Sequence, residues 1–387
     1  MKKELVIILC FSLFAISGLS HAATVITGAE RTELYLPLIK GKSVAIVANQ
    51  TSLVGKVHLV DTLVAMNVRI SKIFSPEHGF RDMAEAGKKI QDGTDGPTGI
   101  RIVSLFGNQK KPTPDDMKGL DYVLFDLQDV GVRFYTYMST MHYVMEACAE
   151  NNVPLIILDR PNPNGFYVDG PLPEPGKRSF VCMEPVPVVH GMTLGELAMM
   201  INDRKWLDGG RKCNLQVIKC QNYKHEDLYT LPVAPSPNLP DMNAIYLYPS
   251  LCLSEGTVLS CGRGTSFPFQ VIGHPSLPNK GFSFTPMSTK AASEPPCKGK
   301  ECYGIDMRNA METGMVPRNF IDLEWLIQSY KDYPDKEHFF NGFFDTLAGG
   351  STLRKQIIAG MSAREIRKTW QTDLKQFMKQ RQKYLLY

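Results

Sequence analysis

The sequence predicts an α/β chain: a Rossmann-like parallel-sheet domain over residues 23–205, followed by a smaller α+β auxiliary domain over residues 206–387. Three observations carry this. Short continuous apolar runs recur through the first half, as strands buried on both faces require. Segments of helical spacing separate several of them, which places the strands parallel. After Trp206 the composition shifts toward Pro, Tyr and brief β-type runs.

The first strand is read at residues 43–48. Residues 58–66 follow with Leu59, Val60, Leu63 and Val64 at helical spacing. Further strands are expected at 69–74, 100–105, 122–125 and 155–158. A helix over 138–151 separates the last two, with Met141, Val144, Met145 and Cys148 on one face. Thr193 with Glu196 three residues later is a capping box, so a helix starts there with Leu194, Leu197 and Ala198 inward. In the second half, residues 215–217 and 257–259 read as strands. Residues 231–240 hold four prolines and read as an ordered crossing segment. The tail from 351 to 387 reads as amphipathic helices with a solvated basic face.

Residues 1–22 have the pattern of a secretory signal: basic Lys2 and Lys3, an apolar run over 5–19, then Ser20-His21-Ala22. The product is expected in the periplasm or outside the cell, with no stable membrane insertion once the signal is cleaved. A net charge of +4 on 387 residues, without a basic stripe, argues against nucleic acid. Nine cysteines less Cys10 leave eight. In an oxidising compartment one or two bridges are expected, with Cys297/Cys302 and Cys213/Cys220 as the nearest pairs in sequence. No CxxC pair occurs and the histidines are scattered, so no metal is expected. No GxGxxG follows the first strand, which argues against a dinucleotide, and no cofactor is expected. The residues point to no particular oligomeric state.

Five polar loops follow apolar runs. The first, residues 73–81, presents Glu77 and His78 between Pro76 and Gly79, at the C-terminal edge of a strand, where open α/β sheets bind ligands. The second, 126–137, concentrates Asp126, Asp129, Arg133, Tyr135 and Tyr137. The third, 158–171, is stiffened by proline and carries Arg160 and Asn162. The fourth, 187–193, holds His190, either a proton carrier or a residue packed before a helix. The fifth, 253–265, holds Glu255 and Arg263, either a second carboxylate with an anion-binding Arg or a salt bridge. Carboxylates, Arg, Asn and aromatics together suit an acidic, polyhydroxylated ligand. GxSxG and HExxH are absent.

These loops, in this order, resemble the NamZ-like exo-β-N-acetylmuramidases, a bacterial family formerly described as a domain of unknown function. The matching segments are SPEHGFR (75–81), DLQDVGVRFYTY (126–137), DRPNPNG (159–165), DGP (169–171), HGMTLGELA (190–198), SPNLP (236–240) and EGTVLSCGRGTSFPF (255–269). The resemblance implies release of N-acetylmuramic acid from the non-reducing end of peptidoglycan fragments, by a Rossmann-like domain and an auxiliary domain with the site in the cleft between them. It places Glu77 on the family's catalytic Glu; by chemistry Glu77 is read as the general acid on the leaving-group oxygen, with His78 holding the local geometry. By chemistry, Arg133, Arg160 and Arg263 are candidates for the lactyl carboxylate. Asp126, Asp129, Tyr135, Tyr137 and Asn162 are candidates for hydroxyl and acetamido contacts, with His190 and Glu255 also in the binding set. The alternative from another class is a non-catalytic periplasmic binding protein for muropeptides or muramic acid. A weaker third reading, an amidase or esterase, lacks its nucleophile and metal signatures.

Overall fold

The computed structural model describes residues 24–81, 84–88 and 91–387; the expected signal peptide lies outside them. Chain order begins with α1 (Thr32–Ile39), β1 (Ser43–Ala48), a ribbon of β2 (Leu53–Val54) and β3 (Val57–His58), α2 (Leu59–Ala65) and β4 (Arg69–Ser75). It continues through β5 (Gly93–Thr94), β6 (Arg101–Ser104), α3 (Pro114–Met117), β7 (Tyr122–Asp126), α4 (Tyr137–Glu150), β8 (Leu155–Leu158), α5 (Leu194–Asp203) and β9 (Leu215–Ile218). These build a seven-stranded sheet in the order β5-β6-β4-β1-β7-β8-β9, parallel except for the edge strand β5.

All six residues of β1 are buried, and the reason is that both faces of the sheet are covered. Ala45 and Val47 pack into the layer containing α4 and α5, with Phe125, Met141 and Leu197. Val44, Ile46 and Ala48 pack into the opposite layer with Tyr35, Ile39, Leu59 and Leu63 of α1 and α2. Strand alternation thus divides one apolar run between two cores.

The chain steps outward from β1 to β4 and β6, then crosses back to β7 on the other side of β1. The C-terminal ends of β4 and β7 therefore flank that of β1 at the point where the order reverses, which leaves a crevice. Glu77 leaves β4 there, and the loop over 127–136 leaves β7 there.

The remaining elements are α6 (Met242–Leu251), β10 (Val271–His274), β11 (Ser283–Phe284), β12 (Cys302–Asp306), α7 (Glu324–Asp332), α8 (Gly342–Ala348), α9 (Thr352–Ile358) and α10 (Ala363–Arg381). Strands β10, β12 and β11 form an antiparallel sheet. Helix α10 starts at a Ser362/Glu365 capping box and buries Ile366, Trp370, Leu374 and Phe377 along one face, as its periodicity predicts. Its apolar face joins the same core as α4 and α5.

Three expectations need correction. The boundary at residue 205 cuts through the large sheet, because β9 pairs in parallel with β8 (Leu155↔Leu215) and supplies its outer neighbour. Residues 257–259 form no strand; Thr257 makes one isolated bridge to Phe340. The eight described cysteines are all free thiols. Cys213 lies against Cys148 rather than Cys220, whose Sγ donates to the Asp159 carbonyl at 3.2 Å. Cys297 and Cys302 are in thiol contact but unbonded. Proximity in sequence misled for the 213/220 pair because β9 separates the two residues.

Among the described residues no helix is long and apolar enough to cross a membrane.

Candidate active site

Strand β4 ends at buried Ser75, and Pro76 halts it. His78 and Gly79 then both take positive φ, 74° and 91°. For a residue with a Cβ this is a strained conformation, costing on the order of 1–3 kcal/mol, held by the surrounding contacts. His78 is buried, and its Nδ1 meets the Ala84 carbonyl at 2.9 Å, so Nδ1 carries the proton. Burial lowers the imidazole pKa, with the Glu77 charge pulling the other way. It is a neutral clip on the loop. Arg81 fastens the other end, with bidentate contacts to Asp61 (2.6 and 2.9 Å) and Asp95 (2.7 and 2.9 Å).

This leaves Glu77 pointing between two donors. Gly87 N–H donates to Oε1 at 2.9 Å, and Thr136 Oγ1 donates to Oε2 at 2.8 Å. Thr136 belongs to the loop from β7, so the carboxyl bridges the two strand ends that flank the crevice.

Glu77 and His78 line a cavity of about 440 Å³ together with Tyr135, Tyr137, Glu255 and Arg263. That volume suits a small-molecule ligand. Its inner wall includes buried Tyr135, Tyr248 and Phe269; Gly87 and Phe343 are exposed at its rim. The aromatics interlock edge to face: Tyr135 with Tyr137 at 4.8 Å between ring centroids, and Tyr248 with Phe269 at 4.8 Å. The proline-rich segment, ordered as expected, closes one side by accepting the Tyr135 hydroxyl at Pro235 O, 2.8 Å. Arg263 is the single Arg or Lys on the wall among the described residues. Its Nε donates to Glu255 Oε1 at 2.5 Å, and the guanidinium carbon lies 5.1 Å from the Phe269 centroid. The salt bridge weighed from sequence is therefore present, inside the cavity. The two side chains remain 18% and 21% exposed, so a ligand can reach them.

Six residues of the expected binding set do not line this cavity. Asp126, the last residue of β7, forms a buried ion pair with Arg160 at 2.5 and 2.9 Å, and Arg160 also donates to Leu53 O. Arg133 is fully buried, with its guanidinium donating to the carbonyls of Pro171, Val186, Leu347 and Ala348, which ties the loop to α8. Asn162 donates to Met192 O and accepts from Asn164 N. His190 accepts from Met192 N through Nδ1, and burial holds its pKa down at about 3, so it is uncharged near neutrality with its proton on Nε2. Each is engaged with backbone or ion-pair partners, as burial favours, with Arg133 Nε and His190 Nε2 left unpartnered among the described residues.

Asp129 is the sixth. Its Oδ2 accepts from Gly131 N at 2.7 Å, while Oδ1 has no partner among the described residues. Burial pushes its pKa up to about 7, against backbone donors at Gly131 and Val130. A folded value above the unfolded one contributes stability that is complete below about pH 4 and lost as pH rises through about 7. Asp129→Asn is therefore expected to raise the melting temperature at about pH 8 and leave it unchanged at about pH 4. Thermal melts across that range check it; equal melting of both proteins at the higher pH refutes it.

Other cavity residues were not selected from sequence. Thr136 stands inside a motif already singled out, yet a threonine before a helix reads as a cap. Tyr248, on α6, gives only an apolar pattern because its neighbours are apolar too. Glu85 accepts from Ser293 N at 2.6 Å and Oγ at 3.0 Å, joining the loop after Glu77 to the second half.

The family model described as exo-beta-N-acetylmuramidase NamZ, N-terminal, matches residues 44–243, and its C-terminal counterpart matches 246–387. The chain is 38% identical to the peptidoglycan beta-N-acetylmuramidase NamZ of Bacillus subtilis (strain 168), over 91% of this chain and 89% of that protein. Two crystal structures of DUF1343 family proteins from Bacteroides fragilis NCTC 9343 share the fold. One has a TM-score of 0.85 at 46% identity, the other 0.75 at 27%; each alignment covers 94% of this chain and 99% of the other.

Proposed function

Because the chain belongs to the exo-beta-N-acetylmuramidase NamZ family, we propose that its cavity takes the terminal N-acetylmuramic acid of a peptidoglycan fragment, with Glu77 as the general acid. The chain is a glycosidase that removes that terminal sugar, a step in cell-wall turnover. The observation that carries the assignment is that one cavity is lined by both Glu77 and Arg263. A carboxyl group can protonate the glycosidic oxygen, and a guanidinium can hold the lactyl carboxylate that distinguishes muramic acid from other amino sugars.

The geometry supports a division of labour within Glu77. Oε1 accepts from a backbone N–H, which can only donate, so Oε2 is the oxygen left to carry the transferable proton. Arg263 has one nitrogen on Glu255, leaving its two terminal nitrogens for the sugar's carboxylate. Tyr135, Tyr137 and Tyr248 offer ring surface to the sugar. Asp126, Arg133, Arg160, Asn162 and His190 hold the loops rather than the ligand.

The large sheet is read as Rossmann-like. Its parallel strands run in the order third, second, first, fourth, fifth, sixth, and the cavity lies beside the reversal point. The second half supplies Glu255, Arg263 and Phe269, so the cavity sits between an N-terminal and a C-terminal domain. Export to the periplasm or the exterior is supported by the apolar run at 5–19 and the Ser20-His21-Ala22 that follows.

Incubation with a chromogenic N-acetylmuramic acid β-glycoside tests the reading. Release of the chromophore, absent with an internal muramic acid residue, is the expected result. Tight binding without release would instead make the protein a receptor.

A further inference from the structure

We propose that Thr136 is the positioning residue that keeps the reactive oxygen of Glu77 aimed at the glycosidic bond and stabilises the charge left there by proton transfer. This rests on the reading of Glu77 as general acid.

Thr136 occupies the N-cap position of α4, where threonine ordinarily accepts a hydrogen bond from the first helical turn. It makes no such bond, and its backbone is already helical at φ −76° and ψ −3°. Thr113 and Thr193, at the starts of α3 and α5, both cap their helices through their side chains. The Thr136 hydroxyl is directed instead to Glu77 Oε2 at 2.8 Å, across 59 residues of sequence. A cap on this 14-residue helix has been given up for a contact in the cavity.

The hydroxyl suits that contact because it both donates and accepts. It can stay bonded to Oε2 whether that oxygen is protonated or ionised, while Gly87 N–H holds Oε1, which accepts in both states. In the reaction the Oε2–H bond breaks and the proton passes to the glycosidic oxygen as that oxygen's bond to the anomeric carbon breaks, its electron pair leaving with the oxygen and water supplying the carbon's new oxygen bond in the net hydrolysis. The electron pair of the O–H bond stays on Oε2. Thr136 then donates to an oxygen whose negative charge is developing, so the contact strengthens toward the transition state and acts on kcat rather than KM.

Thr136→Val keeps the shape and removes the hydroxyl; Thr136→Ser keeps the hydroxyl. With the saccharide substrate, Thr136→Val is expected to lower kcat by about 10- to 100-fold with KM unchanged. Its melting temperature should not fall, since no cap is lost, and Thr136→Ser should recover most of the turnover. Glu77→Gln is assayed beside them. Wild-type kcat in Thr136→Val with an inactive Glu77→Gln overturns the role of Thr136 and leaves that of Glu77 standing. Equal losses in the Val and Ser variants, with lowered melting temperatures, make Thr136 structural and overturn the proposal. A fully active Glu77→Gln removes the acid itself, and this inference with it.

Discussion

Glu77→Gln is expected to lower kcat for a saccharide leaving group by about 10³-fold, equivalent to about 4 kcal/mol of transition-state stabilisation. The fold should survive. The amide oxygen can still accept from Gly87 N–H, and the amide nitrogen can donate to the Thr136 hydroxyl, so neither contact is left unmade. What disappears is the transferable proton. The loss should depend on the leaving group: a nitrophenolate departs with little protonation, so an aryl glycoside should be hydrolysed by Glu77→Gln with a much smaller deficit than a disaccharide. Steady-state kinetics on both substrates measure this. An equal deficit on both would give Glu77 a role other than protonating the departing oxygen, and an unchanged rate on both would remove it from the chemistry.

Glu77 was legible in the sequence because several local signals agree there. An apolar run ends, Pro76 stops the strand, and Gly79 permits the turn, so a carboxylate in that setting lies at a sheet edge. The sheet was legible for a similar reason: β1, β4, β7 and β8 are short runs whose buried character follows from residue type. Arg133 and Arg160 were not separable from Arg263 in the same way. All three stand in polar, glycine- or proline-containing loops. Arg160 meets Asp126 and Arg133 meets four carbonyls only once distant segments are brought together, up to 215 residues apart in the case of Ala348. The same holds for the boundary between the halves. Leu215–Ile218 is four residues long within a Pro- and Tyr-rich stretch, and nothing local says that it completes the sheet beside β8. Thr136 was hidden differently, because the residue type that caps a helix is also one that can hold a carboxylate.

Replacing Arg263 should abolish the preference for muramic acid while sparing much of the basal glycosidase chemistry. As the single cationic side chain of Arg or Lys type on the described cavity wall, it has no substitute for pairing with a ligand carboxylate. A charge-assisted contact of this kind contributes about 1.5–3 kcal/mol, which is about 10- to 150-fold in kcat/KM. Arg263→Ala is therefore expected to lose that factor on the muramyl glycoside and to change little on the matching N-acetylglucosaminide, which lacks the lactyl group. Lysine should not restore it, because a point charge cannot hold Glu255 and present two parallel donors together. Glu255 also loses its partner in the alanine variant, so Glu255→Gln serves as the control. It removes one charge of the ion pair and leaves the guanidinium in the cavity, and discrimination should persist. Competition between the two glycosides reads the ratio directly. If Arg263→Ala keeps the wild-type ratio, the lactyl carboxylate is recognised without this guanidinium and the geometry of the cavity has been assigned to the wrong end of the sugar.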